Sequence, residues 1–355
     1  MALAAVSQSL FGASADPHKL QTFQVEGLKN AASGTVYPAS GLEQGGMPLG
    51  GLGTGYINLD PDGRLGKTAI FNRYPAPVLL NQPCLFLTLA ERRLVLATTP
   101  DNKAGGAPAI PAKAVRYFGH FPVADVEYEI DAPLKVALRA YSPFIPGDAV
   151  ECNTPAAVFE VTLTNLDNKA QSATLAFDPG GFPAGQAAQF AAAGWSGVQV
   201  THKPLEGLPG WVRHTYALAV ENGAAHADEQ GVRVSAACDL QPGEQRTVRF
   251  ILAWHQPYLR EGSGRVEKNK YAERFNDAQA VAARAAAKHQ EWLRRVLAWQ
   301  DVIYGSALPD WLKEELVNVP YTLTKNSVWL AKTRPDDWWA KRGCSWSMRA
   351  SRRAR

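Results

Sequence analysis

Cysteine and long apolar runs are both scarce in this sequence. The four cysteines are too few and too far apart for a disulfide framework or for the ligand spacing of a zinc site. We interpret Cys84, Cys152, Cys238 and Cys344 as plain core thiols. No stretch approaches the roughly 18 uninterrupted apolar residues that a membrane helix needs. The sequence therefore predicts a soluble protein without a transmembrane segment.

An excess of one charge sign is also lacking, except at the C-terminal end. The formal net charge is +4, and the last thirteen residues contain no acid but four arginines, which are Arg349, Arg352, Arg353 and Arg355. Without these four the charges balance, so no basic face is available to follow a nucleic-acid backbone, and we expect no nucleic-acid partner.

Met1 to Ala15 is apolar but lacks a basic residue ahead of its apolar run, which is untypical of a signal peptide. Both a cytoplasmic location and export after loss of a leader stay open.

From Val36 to about Trp254 the apolar residues recur at every second position, in short runs separated by Gly, Pro, Asn and Asp. This alternation is typical of β-strands. The clearest predicted strands are Val123 to Ile130, Val136 to Tyr141, Val158 to Leu166, Leu175 to Phe177, Val212 to Val220, Val232 to Val234 and Val248 to Trp254. Because no segment of helix length separates them, parallel pairing is disfavoured and we predict an antiparallel β-sandwich.

After a polar stretch at residues 260–270 the apolar period changes to about 3.6 residues, which predicts a long helix that ends near Gly305. Its apolar stripe comprises Phe275, Ala278, Ala282, Ala285, His289, Trp292, Val296 and Trp299. A second helix is predicted to start around Pro309, where a missing amide donor costs nothing, and to end near Pro320. We expect it to carry Trp311, Leu312, Leu316 and Val319 inward.

These patterns divide the chain into four segments, with the main boundary near Gly262. Residues 1–35 are predicted to be poorly structured, 36–262 to form the sandwich, 263–342 to begin an α-helical domain, and 343–355 to form a basic tail.

Seven of the ten tryptophans lie from Trp292 onward. Such large side chains need a substantial core, so we expect this segment to belong to a larger helical body. The alternative is that the tryptophans dock directly on the sandwich.

A glycine-rich run extends from Gly45 to Gly55 and resembles a phosphate-binding loop only superficially. Such a loop must open a helix, whereas here Tyr56 to Leu59 alternate and then enter a turn. We therefore expect the glycines to permit close backbone approach or positive φ. The segment Asp60-Pro61-Asp62-Gly63 predicts a hairpin turn. It lacks the later ligands of a calcium loop.

Two separated motifs of this chain resemble glycoside hydrolase family 116, which includes non-lysosomal glucosylceramidases and bacterial β-glucosidases. The first motif is Met47 to Gly55, followed by Leu59 to Arg64 and by Phe71-Asn72. The second comprises Phe250 to Pro257, Tyr271, Arg274, Phe275, Asp277, Ala278, Trp299, Leu308 to Leu312 and Asn318. The resemblance implies a β-sandwich packed on an (α/α)6 barrel. It also implies retaining cleavage of β-glucosides by two carboxylates about 5 Å apart on that barrel.

The resemblance places both carboxylates beyond the last residue of this chain, so we predict no catalytic, cofactor-binding or metal-ligating residue in it. Local acids are poor substitutes. Asp336 and Asp337 are adjacent and would point to opposite sides of an extended segment, and Glu314 and Glu315 are typical of a solvated helix face beside Lys313.

Three further side chains were weighed for a role in sugar binding or catalysis. His289 lies on the apolar stripe of the long helix and is interpreted as a satisfied core residue. Trp254 and His255 lie near the domain junction, where they could approach a sugar. At most, weak binding of a β-glucoside or another glycan is expected.

The last segment, from Gly343 to Arg355, has neither apolar periodicity nor an acidic residue. Moving the reading frame by one base gives a sequence that resembles the family's continuation, so we expect a frameshift here. A disordered basic tail is the alternative.

The predicted protein is thus a truncated, inactive β-glucosidase-like hydrolase whose tryptophan-bearing helices meet solvent and promote aggregation. The alternatives are a stand-alone carbohydrate-binding or interaction module, and a hydrolase with an unrelated active site.

Overall fold

A computed structural model describes residues 20–331, except 42–44, 73–76, 101–108, 183–184, 205–206, 229–230 and 261–263, together with the backbone of 345–346. The predicted boundary residue Gly262, the acids Asp336 and Asp337, and Cys344 lie outside the described residues. So does the tail, apart from the backbone of the two residues just given.

The described residues form strands and four helices, with two short 3-10 turns at Ile70–Asn72 and Lys270–Glu273. The strands are β1 (Gln21–Phe23), β2 (Ala32–Gly34), β3 (Val36–Ala39), β4 (Met47–Leu49), β5 (Ile57–Leu59), β6 (Arg64–Thr68), β7 (Val78–Pro83), β8 (Leu85–Leu89), β9 (Arg92–Val95), β10 (Ile110–Pro111), β11 (Ala114–His120), β12 (Val123–Glu129), β13 (Leu134–Tyr141), β14 (Ala156–Asn165), β15 (Gln171–Phe177), β16 (Gln186–Ala192), β17 (Trp195–His202), β18 (His214–Glu221), β19 (Ala224–Asp228), β20 (Gly231–Leu240), β21 (Gln245–His255), β22 (Tyr258–Arg260), β23 (Val266–Lys268), β24 (Ser327–Val328) and β25 (Ser345–Trp346). The helices are α1 (Ala149–Cys152), α2 (Ala278–Tyr304), α3 (Asp310–Asn318) and α4 (Tyr321–Asn326).

Two large sheets form the sandwich, and the prediction of a mainly β, antiparallel fold is confirmed. The nine-stranded sheet has the order β16-β17-β18-β21-β14-β13-β12-β11-β3, and the six-stranded sheet has the order β10-β9-β8-β15-β20-β19. A four-stranded sheet, β4-β5-β6-β7, lies beside them. The short pair β9 and β10 is parallel, unlike the other pairs of these three sheets. Each of the seven predicted strands is present, and most extend a few residues further.

The main core fills the space between the sheets. Aromatic side chains from both sides meet there, with ring centroids 4.9 Å apart for Phe159 and Phe177 and 5.8 Å apart for Phe177 and Phe250. Cys84, Cys238 and Cys152, the last residue of α1, are buried and free, which confirms them as core thiols. Inward-facing residues alternate with outward-facing ones, as the sequence pattern requires.

Helix α2 covers the outer face of the nine-stranded sheet and forms a second core. Its stripe from Ala278 through Ala282 and Ala285 to Trp292 and Val296 is buried against the sheet, as predicted. Asp277 caps the helix by accepting a hydrogen bond of 2.8 Å from the amide of Ala280. Gly305 closes it, as the sequence predicted.

Helix α3 corrects one part of the sequence analysis. It begins after Pro309 as predicted, but Trp311, Leu316 and Val319 are exposed rather than inward-facing, and Leu312 is half-buried. The helix approaches the sheet through buried Val317 and through Asn318, whose side-chain oxygen accepts a 2.9 Å hydrogen bond from the Phe121 amide. An apolar stripe shows that a helix has a preferred face, but it does not show which element covers that face.

The tryptophans divide between the two interpretations. Trp292 is fully buried between α2 and the sheet, and Trp299 is half-buried with its ring 5.9 Å from that of Phe144. Docking on the sandwich therefore explains these two. Trp311 is 58% exposed and remains without a core in the described part of the chain, whereas Trp338 and Trp339 lie outside it.

Residues 20–35, which the sequence predicts to be poorly structured, form the antiparallel pair of β1 and β2. Their connection is held at the end of α2, where the Asp301 carboxylate accepts hydrogen bonds of 3.0 and 2.8 Å from the amides of Lys29 and Asn30. Polar contacts of this kind leave no periodic pattern in the sequence, which is why this order was missed.

The glycine-rich run behaves as predicted. Met47–Leu49 and Ile57–Leu59 pair as β4 and β5, and Gly50, Gly53 and Gly55 have positive φ between them. A Cβ at Gly46 would overlap the carbonyl oxygen of Leu59. The following turn is closed by a 3.0 Å hydrogen bond from the Gly63 amide to the Asp60 carbonyl.

Substitution of Gly46 by alanine should destabilise the fold because the added methyl group meets backbone atoms that cannot move aside. We expect Gly46→Ala to lower the free energy of unfolding by about 1–3 kcal/mol. Gly210→Ala is the matched control, since a Cβ there meets no atom within 4 Å. Urea denaturation of both variants measures the difference. Equal midpoints would show that close backbone approach does not require this glycine.

Candidate functional site

Trp254 cannot serve as a sugar platform, which makes that part of the sequence hypothesis wrong. The side chain is fully buried in the main core, and its Nε1 donates a 2.7 Å hydrogen bond to the carbonyl of Thr54 in the glycine-rich run. Strand alternation explains the placement: Trp254 points between the sheets, and the next residue points to the opposite face.

His255, on that opposite face, lines a cleft at the junction between the sandwich and the segment leading to α2. Its Nε2 lies 3.0 Å from the carbonyl oxygen of Phe275. A carbonyl only accepts, so Nε2 carries the proton and Nδ1 is an acceptor. Burial lowers the pKa of His255 to about 4, which keeps the ring neutral at pH 7.

The cleft has a volume of about 270 Å³ and draws on segments far apart in the sequence. It is lined by Trp211, Val212, Arg213, His255, Pro257, Tyr258, Lys268, Ala272, Phe275 and Asn276. Three segments around β18, β21 and β23 and the residues just before α2 therefore contribute to it. Mixed apolar and polar linings of this kind are typical of small-ligand sites.

Trp211 is the most prominent side chain of the cleft. It is 65% exposed, and its ring stands perpendicular to that of Tyr258 with centroids 5.1 Å apart. The sequence analysis missed this residue. The available signal was a tryptophan within a loop of glycine and proline, Leu208-Pro209-Gly210-Trp211, where no core is expected to need it.

The cleft is positively charged. Arg213 and Lys268 line it, and none of the described residues that line it is acidic. The guanidinium of Arg213 donates hydrogen bonds of 2.7 and 3.0 Å to the carbonyls of Gly210 and Val212, which fixes the loop that carries Trp211. A ligand with an aromatic-stacking face and acceptor groups suits this arrangement.

The acids that the sequence analysis weighed lie elsewhere. Glu314 is half-buried on α3 and accepts a 3.2 Å hydrogen bond from Asn318, and burial raises its pKa. Glu315 is exposed. Lys313 lies 3.4 Å from Asp310 rather than beside either glutamate.

His289 is a satisfied core residue, as predicted. Its Nδ1 lies 3.3 Å from the hydroxyl of Tyr141 and 3.6 Å from a carboxylate oxygen of Glu160. Together with Arg249, which donates a 2.9 Å hydrogen bond to Glu160, these side chains form a polar network beneath α2.

Several carboxylates in the described chain are bound by structural cations, whereas buried Asp60 accepts a 3.1 Å hydrogen bond from the Gly46 amide and burial raises its pKa. Asp125 accepts a 2.7 Å hydrogen bond from Arg139. Burial opposes its ionisation, but the charge of Arg139 and the hydrogen bond from His120 outweigh burial and hold the pKa of this carboxyl well below its usual range. Asp62 is paired with Arg64, and Glu151 with Arg284. Acids held in this way are poor candidates for a general acid or nucleophile.

The described residues show neither a metal-ligating cluster nor a membrane-spanning helix. Among the residues placed by the structure, no group of three or more His, Cys, Asp or Glu side chains could hold a metal ion. No helix in that same part of the chain is both long enough and apolar enough to cross a membrane. The expectation of no nucleic-acid partner stays a prediction.

The described residues form a two-sheet antiparallel sandwich, with an open aromatic cleft where the chain passes into helices. This is the architecture of a mainly β module joined to a helical segment. Residues 46–193 and 212–292 match the family described as beta-glucosidase 2, glycosyl-hydrolase family 116 N-term. The chain belongs to this family, so the resemblance found in its sequence motifs is confirmed.

This chain also resembles parts of several solved structures. A putative kojibiose phosphorylase from the human microbiome has 9% identity and a TM-score of 0.41, with 83% of this chain and 35% of that chain covered. A polysaccharide lyase has 11% identity and a TM-score of 0.29, with 61% and 33% covered. A GH36 alpha-galactosidase from Geobacillus stearothermophilus has 12% identity and a TM-score of 0.27, with 62% and 40% covered. This chain thus spans 33–40% of the length of these proteins.

The low pKa of His255 predicts a pH dependence of stability. The unfolded chain binds a proton on this residue below about pH 6.5, whereas the folded chain does so only below about pH 4. Stability should therefore fall as the pH drops through this window, by up to about 3 kcal/mol.

Comparing the wild type with His255→Gln isolates this contribution, because glutamine can still donate to the Phe275 carbonyl but does not titrate. The free energy of unfolding, measured in urea at several pH values from 7 to 4, should fall less steeply in the variant. Parallel curves for the two proteins would contradict a depressed pKa at His255.

Proposed function

We propose that this chain is the N-terminal part of a β-glucoside-cleaving hydrolase and that its 355 residues do not cleave glycosides by themselves. The family match supports the first part, because it concerns the N-terminal region of these enzymes. The second part is supported by the cleft, whose described lining contains no carboxylate, whereas retaining hydrolysis needs two of them about 5 Å apart.

The division of the chain is part of the same proposal. The sandwich comprises residues 36–262, and the helices from 263 onward begin the helical catalytic domain. The exposed side chains of Trp311 and Leu316 on α3, of Tyr321 on α4 and of Val319 between them support this division, since an apolar surface of this kind suits packing by further helices. In the chain as given, this surface favours self-association.

An aryl β-glucoside assay on the purified chain tests the proposal most directly. We expect no release of the aryl alcohol above that of a heat-inactivated sample, because the described lining of the cleft offers no acid pair to attack and to protonate. The match to an N-terminal region would still hold. Turnover that follows the protein through successive purification steps would overturn the proposed inactivity and favour an active site made within these residues.

A second candidate function is carbohydrate binding in the cleft, which the exposed ring of Trp211 favours. Aromatic faces pack on the apolar faces of pyranose rings, so removal of this ring should weaken binding of cellotetraose at least about tenfold. Calorimetric titration of Trp211→Ala measures the loss. Trp311→Ala, which removes an exposed tryptophan of α3, is the matched control and should bind like the wild type. Equal loss in both variants, or none in either, would contradict a role for the cleft.

A further inference from the structure

The two cations of the cleft, Arg213 and Lys268, are not used in ion pairs among the described residues, although Arg213 also fixes the loop that carries Trp211. In the described part of the chain, no carboxylate lies within 4.0 Å of Arg213 or Lys268 in an ion pair, whereas the nearby Arg265 and Lys270 are paired with Glu267 and Glu273. Among the described residues, the fold therefore neutralises the cations around the cleft but not the two that line it. Surfaces that keep unpaired cations of this kind attract anions.

The rest of the lining limits what such an anion can be. Val212, Pro257 and Phe275 are apolar, and Trp211 offers an exposed ring, so the ligand needs an apolar face as well as a charge. Neutral His255 adds an acceptor at Nδ1, because its other nitrogen is bound to Phe275. Asn276 adds an amide. A hydroxyl group can use both the acceptor and the amide, whereas a fully ionised inorganic anion cannot donate to the Nδ1 acceptor.

We propose that the cleft binds an acidic saccharide, with a sugar ring against Trp211 and its carboxylate paired with Arg213 or Lys268. This inference rests on the proposed carbohydrate binding and adds the class of sugar. An arginine or a lysine pairs with a carboxylate through charge-assisted hydrogen bonds, which are stronger than those available to the hydroxymethyl group of a neutral glucoside.

Methyl β-D-glucuronide and methyl β-D-glucoside are the two probes that test the proposal. They differ only in carrying a carboxylate or a hydroxymethyl group at the same ring position. Titration of the full chain, followed by calorimetry or by the tryptophan indole signals in NMR, should give at least about tenfold tighter binding of the glucuronide at low salt. The preference should shrink as salt is added, because the cations are partly solvated. Sodium acetate at the same concentrations should not compete, since it lacks the ring.

The variants separate the two contributions. Arg213→Gln combined with Lys268→Gln should abolish the preference, so that the double variant binds the two sugars equally, whatever change the loss of the Arg213 loop contacts causes in the affinity for both. Trp211→Ala should weaken both ligands, and Trp311→Ala should weaken neither. Thermal melting of each variant checks that the fold is intact, and Arg213→Lys, which keeps the charge, should retain most of the preference if the double variant proves unstable.

The outcomes are distinguishable. Equal binding of the two sugars, a preference that survives in the double glutamine variant, or displacement of the glucuronide by acetate would each overturn the acidic-saccharide proposal and leave carbohydrate binding standing. Failure of both sugars to bind would overturn both. Neither result bears on the β-glucoside assay, which tests the hydrolase proposal separately.

Discussion

Burial of the nine-stranded sheet on both faces is the constraint on which the rest of the structure depends. Strands β18 and β21 lie near the centre of this sheet, with the six-stranded sheet on one side and α2 on the other. The segments Ala217–Val220 of β18 and Phe250–Trp254 of β21 therefore lack the polar positions of a half-exposed strand. The small side chains of Ala278, Ala282 and Ala285 let the helix approach closely, and Trp292 fills the wider space further along.

Covering a sheet with a helix also traps polar groups, and the structure satisfies them with shared partners. The indole of Trp292 donates a 2.8 Å hydrogen bond to Glu151, which is also paired with Arg284. Further along, Gln300 donates to the carbonyls of His120 and Phe121 at 2.7 and 3.0 Å. Loss of a shared residue, Glu151 or Gln300, would leave buried groups such as the Trp292 indole without these hydrogen bonds, so these residues fix the position of α2 as well as its stability.

The sequence predicted those features that arise from short-range patterns. Alternation located β12 to β15 and β21, the helical period located α2 from Ala278 to near Gly305, and the glycines of the first motif indicated close backbone contact. Features formed by distant segments were not predictable in this way. The outward face of α3 depends on what lies beside Val317, and the cleft unites Trp211 with His255 and Lys268 across more than fifty residues. His255 lines the cleft but its sequence neighbour Trp254 does not, because adjacent strand residues point to opposite faces.

The contact between the loop after β1 and the end of α2 has a consequence for synthesis of the chain. Asp301 lies 271 residues after Asn30, whose amide and side-chain nitrogen it binds at 2.8 and 2.9 Å. A ribosome must therefore translate the whole sandwich and nearly all of α2 before the earliest strand pair acquires its anchor. Throughout that interval β1 and β2 lack this attachment. Chaperones can therefore reach this stretch of the nascent protein.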